Sequence, residues 1–438
     1  MLEKLSSFPV GSYIRNKSIQ NFIFLVMIQA SNMLISIMSM PLLLRSIGVD
    51  QFGLVNLALS VIIFTNIIVG FGFNISAPRE VAIFQDQTKK LSSIASQILF
   101  TRLALAAVTA LSLWIAAYAF NFFKDYKEIL MFSTVLLFSE AILPLWFFQG
   151  MEKMKLISVT NIFSKLLFLF GIVVFIQAPE HAKWVNFILG SSALLLNVFL
   201  LFYMRYAMDI HFFWPRVKAI WESLRDNVYL FLSNIAGHIS VNGGLIILSF
   251  FGNETTLGMF SLAEKITMVL RLLPTLIIQA VYPNASRLFQ ADQEAFIKFV
   301  SKTYVIGIGL ALMVSTLTFF SAGFIVELLA KNRLEESINY LKILSFIPFL
   351  ASLNIINGVI LFVANQKELL FKASWLMCAY MIVVASLLTA KYGGIGLCYA
   401  LLSSEIIIFI VYSYLIYSRN QSLVHAFAQR IFRRDHHS

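Results

Sequence analysis

The residues with chemistry to offer lie inside apolar runs. Between 256 and 283, Glu264, Arg271, Thr275, Gln279 and Tyr282 recur at spacings of 7, 4, 4 and 3. An α-helix sets residues at those intervals on one face. Lys265 stands at the edge of that stripe, about 100° round from Glu264, and the other positions are mostly Leu, Ile, Val and Met. Cationic, amide and hydroxyl groups in this pattern supply donors but no activated nucleophile and no metal-ligand set. The chemistry they fit is the binding of an anion. Arg grips phosphate or pyrophosphate bidentately and Lys adds a point charge, while amides and hydroxyls suit sugar hydroxyls.

Three further runs show polar faces of the same kind. Asn227, Asn234, His238 and Asn242 are spaced 7, 4 and 4; Gln29, Asn32, Ser36 and Ser39 are spaced 3, 4 and 3; Asn66, Gly70 and Asn74 step by 4. Polar groups in lipid are costly, so they face a cavity or a partner helix. Hydrogen bonding between helices for packing alone is the competing reading. Lys165 is a cation of the N-terminal half, set against the alternative that its chain snorkels to the interface. The substrate-binding candidates are therefore Lys265, Arg271, Lys165, Gln279, Asn234, His238 and Asn32. Glu140, Glu264 and Glu405 are the candidate ion-coupling acids, although a structural ion pair is the simpler reading for Glu140 and Glu405. A satisfied core histidine is the simpler reading for His238 than a proton switch.

The elements that position these groups follow from composition. The 438 residues are 59% hydrophobic and 13% charged, about half the charged share of an ordinary soluble protein; mean hydropathy is +0.82. Apolar segments fall near 19–44, 54–76, 97–120, 128–148, 157–177, 184–204, 228–251, 256–283, 301–323, 340–364, 372–390 and 394–417. Blocks of about 20 apolar residues cross a bilayer as helices, and the lack of dyad alternation excludes an outer-membrane barrel. The fold class is an all-α polytopic membrane protein of about twelve transmembrane helices.

Charge placement gives orientation. Of the Lys and Arg residues, about 23 fall in the N-terminus, the even-numbered loops and the C-terminus, against about 8 in the odd-numbered loops. The positive-inside rule then puts both termini in the cytoplasm. The net charge of +11 is thereby a membrane signature, and no soluble basic domain exists to hold nucleic acid. Cys378 and Cys398 lie in apolar runs, so neither a disulfide nor a metal is expected. No Walker-type glycine loop is present, and no cofactor is expected.

The longest loop, 205–227, carries Arg205, Trp214, Arg216, Lys218 and Trp221 and reads as an interfacial linker on the cytoplasmic side. It divides an N-terminal six-helix bundle, 1–204, from a C-terminal one, 228–418, followed by a basic tail, 419–438. An internal repeat supports that division. Gly48-Val49-Asp50-Gln51-Phe52-Gly53-Leu54 is echoed, one residue longer, by Gly252-Asn253-Glu254-Thr255-Thr256-Leu257-Gly258-Met259. Two related halves commonly enclose a substrate site near the midplane.

Two motifs carry a family resemblance. Phe71-Gly72-Phe73-Asn74-Ile75-Ser76-Ala77-Pro78-Arg79-Glu80-Val81-Ala82 resembles the Gly-Phe-Asn…Ala-Thr-Arg-Glu pattern of bacterial O-antigen flippases, with Pro78 where Thr is common. Pro144-Leu145-Trp146-Phe147-Phe148-Gln149-Gly150-Met151-Glu152 is similar to that family's Pro-x-Trp-Phe-Phe-Gln-Gly-x-Glu segment. The chain thus resembles the Wzx-type polysaccharide transporters of the multidrug/oligosaccharidyl-lipid/polysaccharide exporter superfamily over nearly its whole length.

The resemblance implies two six-helix bundles around a central cavity in the bacterial inner membrane. It also implies an undecaprenyl-pyrophosphate-linked repeat unit as cargo, handed on to a polysaccharide polymerase and a chain-length regulator. Two alternatives are weighed against it. A multidrug exporter of the same superfamily would favour an acidic, aromatic cavity, which two cations in 256–283 oppose. A membrane polymerase would need a large periplasmic loop, and 324–339 is too short.

Overall fold

The computed structural model describes residues 17–120, 123–364 and 367–432. Lys4, Arg15, Arg433 and Arg434 of the expected basic termini lie outside the described residues. Among the described residues there is no strand. In a bilayer the backbone must satisfy its own polar groups, and a helix does so within one segment.

The helices in chain order are α1 (Lys17–Gly70), α2 (Phe73–Ile83), α3 (Thr88–Ala119), α4 (Lys127–Ser133), α5 (Val135–Ile142), α6 (Leu145–Gly150), α7 (Met154–Phe175), α8 (Ala182–Ala207) and α9 (Val217–Asn242). There follow α10 (Gly244–Ser249), α11 (Glu254–Leu270), α12 (Leu272–Ala291), α13 (Gln293–Ala330), α14 (Glu335–Leu344), α15 (Ile347–Ser352) and α16 (Ile355–Val363). The last are α17 (Lys367–Tyr380), a π segment Met381–Ala385, α18 (Ser386–Arg419) and α19 (Gln421–Phe432).

The all-helical membrane architecture is as expected. By length and apolarity, seven helical stretches among the described residues qualify as spans, or up to nine if each bent pair is one span. Two of the seven, Ile23–Ile83 and Leu369–Arg419, are 61 and 51 residues long. At 1.5 Å per residue the first would run to about 90 Å, roughly three hydrocarbon cores. Each is broken by a glycine outside helical geometry, Gly48 (φ 77°, ψ 172°) and Gly393 (φ 59°, ψ −141°), left-handed positions that favour glycine. The expected span 228–251 is carried by α9 and α10, which meet at Gly243. Proline breaks fall where its missing N–H and ring require them: α5 ends before Pro144, α11 ends before Pro274, and Pro348 opens α15.

The chain clusters into two compact units. One comprises residues 1–48 and 61–234, the other residues 49–60 and 235–438. In the first unit the core joins Phe73, Ala77 and Val81 of α2 to Trp146, Phe147 and Phe148 of α6, with Met154, Leu200 and Met204. A Cβ on Gly150 would stand 2.6 Å from Pro78 O and from Val81 Cβ, so the contact demands glycine. The two motifs that carry the family resemblance are therefore the two sides of one packing seam. The linker is strapped to the start of α3: Ser92 Oγ and Ser96 Oγ accept from the backbone N–H of His211 (3.0 Å) and Phe213 (3.1 Å).

In the second unit a core of Val281, Phe296, Val300, Val359 and Ile360 also takes Leu423 and Phe427 from α19. Residues 49–60 pack here, against α11, so the internal repeat meets itself. Thr255 Oγ1 donates to Asp50 Oδ1 at 2.7 Å. A Cβ on Gly53 would lie 2.5 Å from Gly258 N, and one on Gly258 would overlap Val49 O.

Candidate functional site

Pro274 shapes the polar stripe of the second unit. Its ring and missing N–H disturb the carbonyl four residues back, at Leu270, and α11 ends there. Arg271 stays in the α region (φ −65°, ψ −14°) between α11 and α12, its N–H bonded to Thr267 O at 2.8 Å. The stripe thus keeps its face across the break. Thr275, Gln279 and Tyr282 are exposed along α12, and Arg271 and Glu264 are half-buried.

Arg271 has a partner from α18. Its Nη2 lies 2.5 Å from Glu405 Oε1; the Arg271 side chain is 34% exposed and that of Glu405 only 6%. A guanidinium has five N–H donors, and among the described residues Glu405 is its one ion-pair partner. The carboxylate is therefore the sheltered member and the guanidinium the accessible one. Glu405 forms the ion pair that was its simpler reading.

Lys265 is turned to a different neighbour. Its Nζ sits 5.2 Å from the centre of the Phe52 ring, in the repeat segment that packs on α11. A cation over an aromatic face gains about 0.5–2 kcal/mol. Glu264 is half-buried near Gly244: a Cβ there would stand 3.7 Å from its Oε1. On α9, exposed His238 pairs through Nδ1 with Asn242 Nδ2 at 3.3 Å, and Asn234 is half-buried. Asn227, spaced as a member of that face, is instead buried, donating to Ser223 O at 2.9 Å.

The first unit brings a second set together. Asn161 and Lys165 are one turn apart on α7, and Asn161 Oδ1 accepts from Ser31 Oγ at 3.2 Å. Lys165 thus lies on the side of α7 that meets α1, half-buried; no carboxylate lies within 4.0 Å of it among the described residues. Gln29 and Asn32 on α1 are exposed.

Glu140 has a counter-ion that sequence reading missed. Arg102 on α3, its side chain 1% exposed, places Nη2 2.9 Å from Glu140 Oε1, itself 28% exposed. The same Nη2 donates to Glu140 O at 2.6 Å, and Nη1 to Leu143 O at 3.3 Å. Glu140 O lacks its i+4 donor because residue 144 is proline, and keeps an i+3 bond from Leu143 N–H at 3.3 Å. Arg102 supplies the missing donor from a neighbouring helix. Its signal was faint, since a lone Arg near the start of an apolar segment reads as an interfacial charge.

Among the described residues no group of three or more His, Cys, Asp or Glu residues is placed to hold a metal ion, and Cys378 and Cys398 are both free and buried. The exposed polar faces carry donors and cations suited to binding.

Comparison with known proteins adds to this geometry. Two proteins named "Putative O-antigen transporter" align over 395 residues. The one from Escherichia coli (strain K12) is 25% identical, over 89% of this chain and 94% of its own length. The one from Shigella dysenteriae is 24% identical, over 89% and 97%. Among solved structures, an inward-facing multidrug resistance MATE family transporter of the MOP superfamily gives a TM-score of 0.70 at 14% identity, covering 92% of this chain and 99% of that one. The lipid II flippase MurJ, inward closed, gives 0.67 at 13% identity, covering 93% and 90%. These likenesses establish that the chain shares the fold of those two proteins. Residues 18–289, more than half of the chain, match the family described as "Polysaccharide biosynthesis protein", and the chain belongs to that family.

Proposed function

We propose that this protein is a flippase for undecaprenyl-pyrophosphate-linked O-antigen, or related polysaccharide, repeat units. It moves them from the cytoplasmic to the periplasmic leaflet of the bacterial inner membrane by alternating access, with both termini cytoplasmic. The observation that carries the reading is the accessible guanidinium of Arg271 on an exposed polar face within apolar helices. An anionic diphosphate engages Arg271, and Gln279, Asn234, His238 and Asn32 offer hydrogen bonds to the glycan. Lys265 and Lys165 add positive charge, and Glu264 is the acid left for ion coupling. The two working halves are 1–204 and 228–418, with 205–227 as linker and 419–438 as tail. The product is released to a polymerase and its chain-length regulator.

The work is transport rather than catalysis, and the energy comes from an ion gradient, the membrane potential or consumption of product. An outward-moving anion gains about 2.3 kcal/mol per charge per 100 mV. The fold likeness to a multidrug transporter favours drug export as a second reading. One experiment separates the two. A deletion strain without a redundant flippase should accumulate lipid-linked repeat units on the cytoplasmic face and lose surface polysaccharide. Normal surface polysaccharide with altered drug sensitivity would move the assignment to drug export.

A further inference from the structure

The Arg271–Glu405 pair is unequal in a way that bears on selectivity. Glu405 is nearly buried, whereas the Arg271 side chain is 34% exposed and shares a helical face with the exposed Thr275, Gln279 and Tyr282. A bilayer presents phosphodiester monoanions at high local concentration, and an unpartnered arginine would hold them. Exchanging a carboxylate for a phosphodiester replaces one single charge by another. The Coulomb attraction barely changes, while a sheltered carboxylate loses its counter-ion, which is costly. A diphosphate carries more charge and offers oxygens in pairs, so its attraction to the guanidinium exceeds that of either monoanion.

We propose that Glu405 is a specificity-determining residue, an internal carboxylate that occupies Arg271 in the empty protein and yields to a diphosphate but not to a monoanionic headgroup. This rests on the reading of Arg271 as the anion grip. Every anion that reaches Arg271 must displace Glu405, which so sets a threshold. A diphosphate passes it, and a phosphodiester at membrane concentration stays below it. Glu405 then acts as a stand-in for the cargo.

The test is titration of purified full-length protein, in uncharged detergent, with inorganic pyrophosphate, using dimethyl phosphate as competitor. Glu405→Gln should bind pyrophosphate about tenfold tighter or more, the worth of one hydrogen bond between charged groups. Dimethyl phosphate should compete in Glu405→Gln and not in the unaltered protein. The neutral pair Arg271→Gln/Glu405→Gln removes both charges together, a change a fold tolerates better than loss of one, and it should bind no pyrophosphate. Should Glu405→Gln fail to fold, Glu405→Asp, shorter by one methylene, must still show a smaller gain. Unchanged or weaker pyrophosphate affinity in the foldable variant, or equal binding by the neutral pair, overturns the proposal. So does absence of pyrophosphate binding throughout. Export is scored separately in the deletion strain. Export that depends on the chain, with no gain in Glu405→Gln, defeats the threshold alone; export that does not depend on it defeats the flippase reading.

Discussion

Arg102 offers the sharpest test of the structural reasoning, because its role is assigned to a single carbonyl. Arg102→Met removes the ion pair with Glu140 and the donors to Glu140 O and Leu143 O. Loss of one partner from a buried pair costs about 3–5 kcal/mol. Of that, the hydrogen bond from the charged guanidinium to the Glu140 carbonyl accounts for about 1.5–3 kcal/mol. Glu140 O lacks its i+4 donor because residue 144 has no N–H, and within its own chain segment it keeps only the bond from Leu143 N–H at 3.3 Å. Pro144→Ala supplies the missing N–H, which reaches Glu140 O once Leu143 moves from its extended conformation (ψ 112°) into the helix, and Arg102→Met should then cost about 1–2 kcal/mol less in the Pro144→Ala background. The measurement is a double-mutant cycle on equilibrium unfolding in mixed micelles with a denaturing detergent. If Arg102→Met costs the same in both backgrounds, within about 0.5 kcal/mol, the brace at Glu140 is wrong and Arg102 is an ion-pair partner only.

Other expectations follow from single contacts. Arg271→Ala should abolish export of surface polysaccharide in a complementation assay while Arg271→Lys keeps part of it; full export by the alanine variant removes Arg271 from the site. Lys165→Gln should reduce export with little change in the unfolding midpoint, since no carboxylate among the described residues depends on it; a large stability loss would make Lys165 structural. Gly258→Ala drives a methyl into Val49 O and should destabilise by about 1–3 kcal/mol. Gly323→Ala, with open space at its Cβ, should be neutral or gain up to about 1 kcal/mol in helix propensity. Equal thermal midpoints for those two variants would contradict the close approach of Gly53 and Gly258.

Periodicity made the helices and the common face of Arg271, Thr275 and Gln279 readable from sequence, because those properties are local. Partners were not readable. The pairing of Arg271 with Glu405, of Arg102 with Glu140 and of Lys265 with the Phe52 ring depends on which helices adjoin and at what height. Spacing along one helix fixes a direction and says nothing of the neighbour. Asn227 shows the same limit: it holds the spacing of an exposed face and lies buried. The repeat was visible as similarity, yet nothing in it foretold that 49–60 would pack with residues 235–438. The motifs behind the family resemblance, around Phe73 and Trp146, form a core seam. They identify the scaffold and leave the cargo site to other residues.

The two intramembrane Arg–Glu pairs are chemically alike and oppositely arranged. In each an arginine stands beside a proline break. At Pro144 the guanidinium is sealed and the carboxylate is the more exposed member, and the cation's two terminal nitrogens are turned to the Glu140 and Leu143 carbonyls beside the break. At Pro274 the order reverses, with the carboxylate sealed and the guanidinium open. A sealed cation with every contact internal is a brace, because no outside group can reach it. An open cation backed by a sealed acid is a receptor already holding a substitute anion, and only a stronger anion displaces that substitute. Residue type alone would assign both pairs one role. Which member is the more exposed separates them, and it is the ground for proposing anion binding at Arg271 rather than at Arg102.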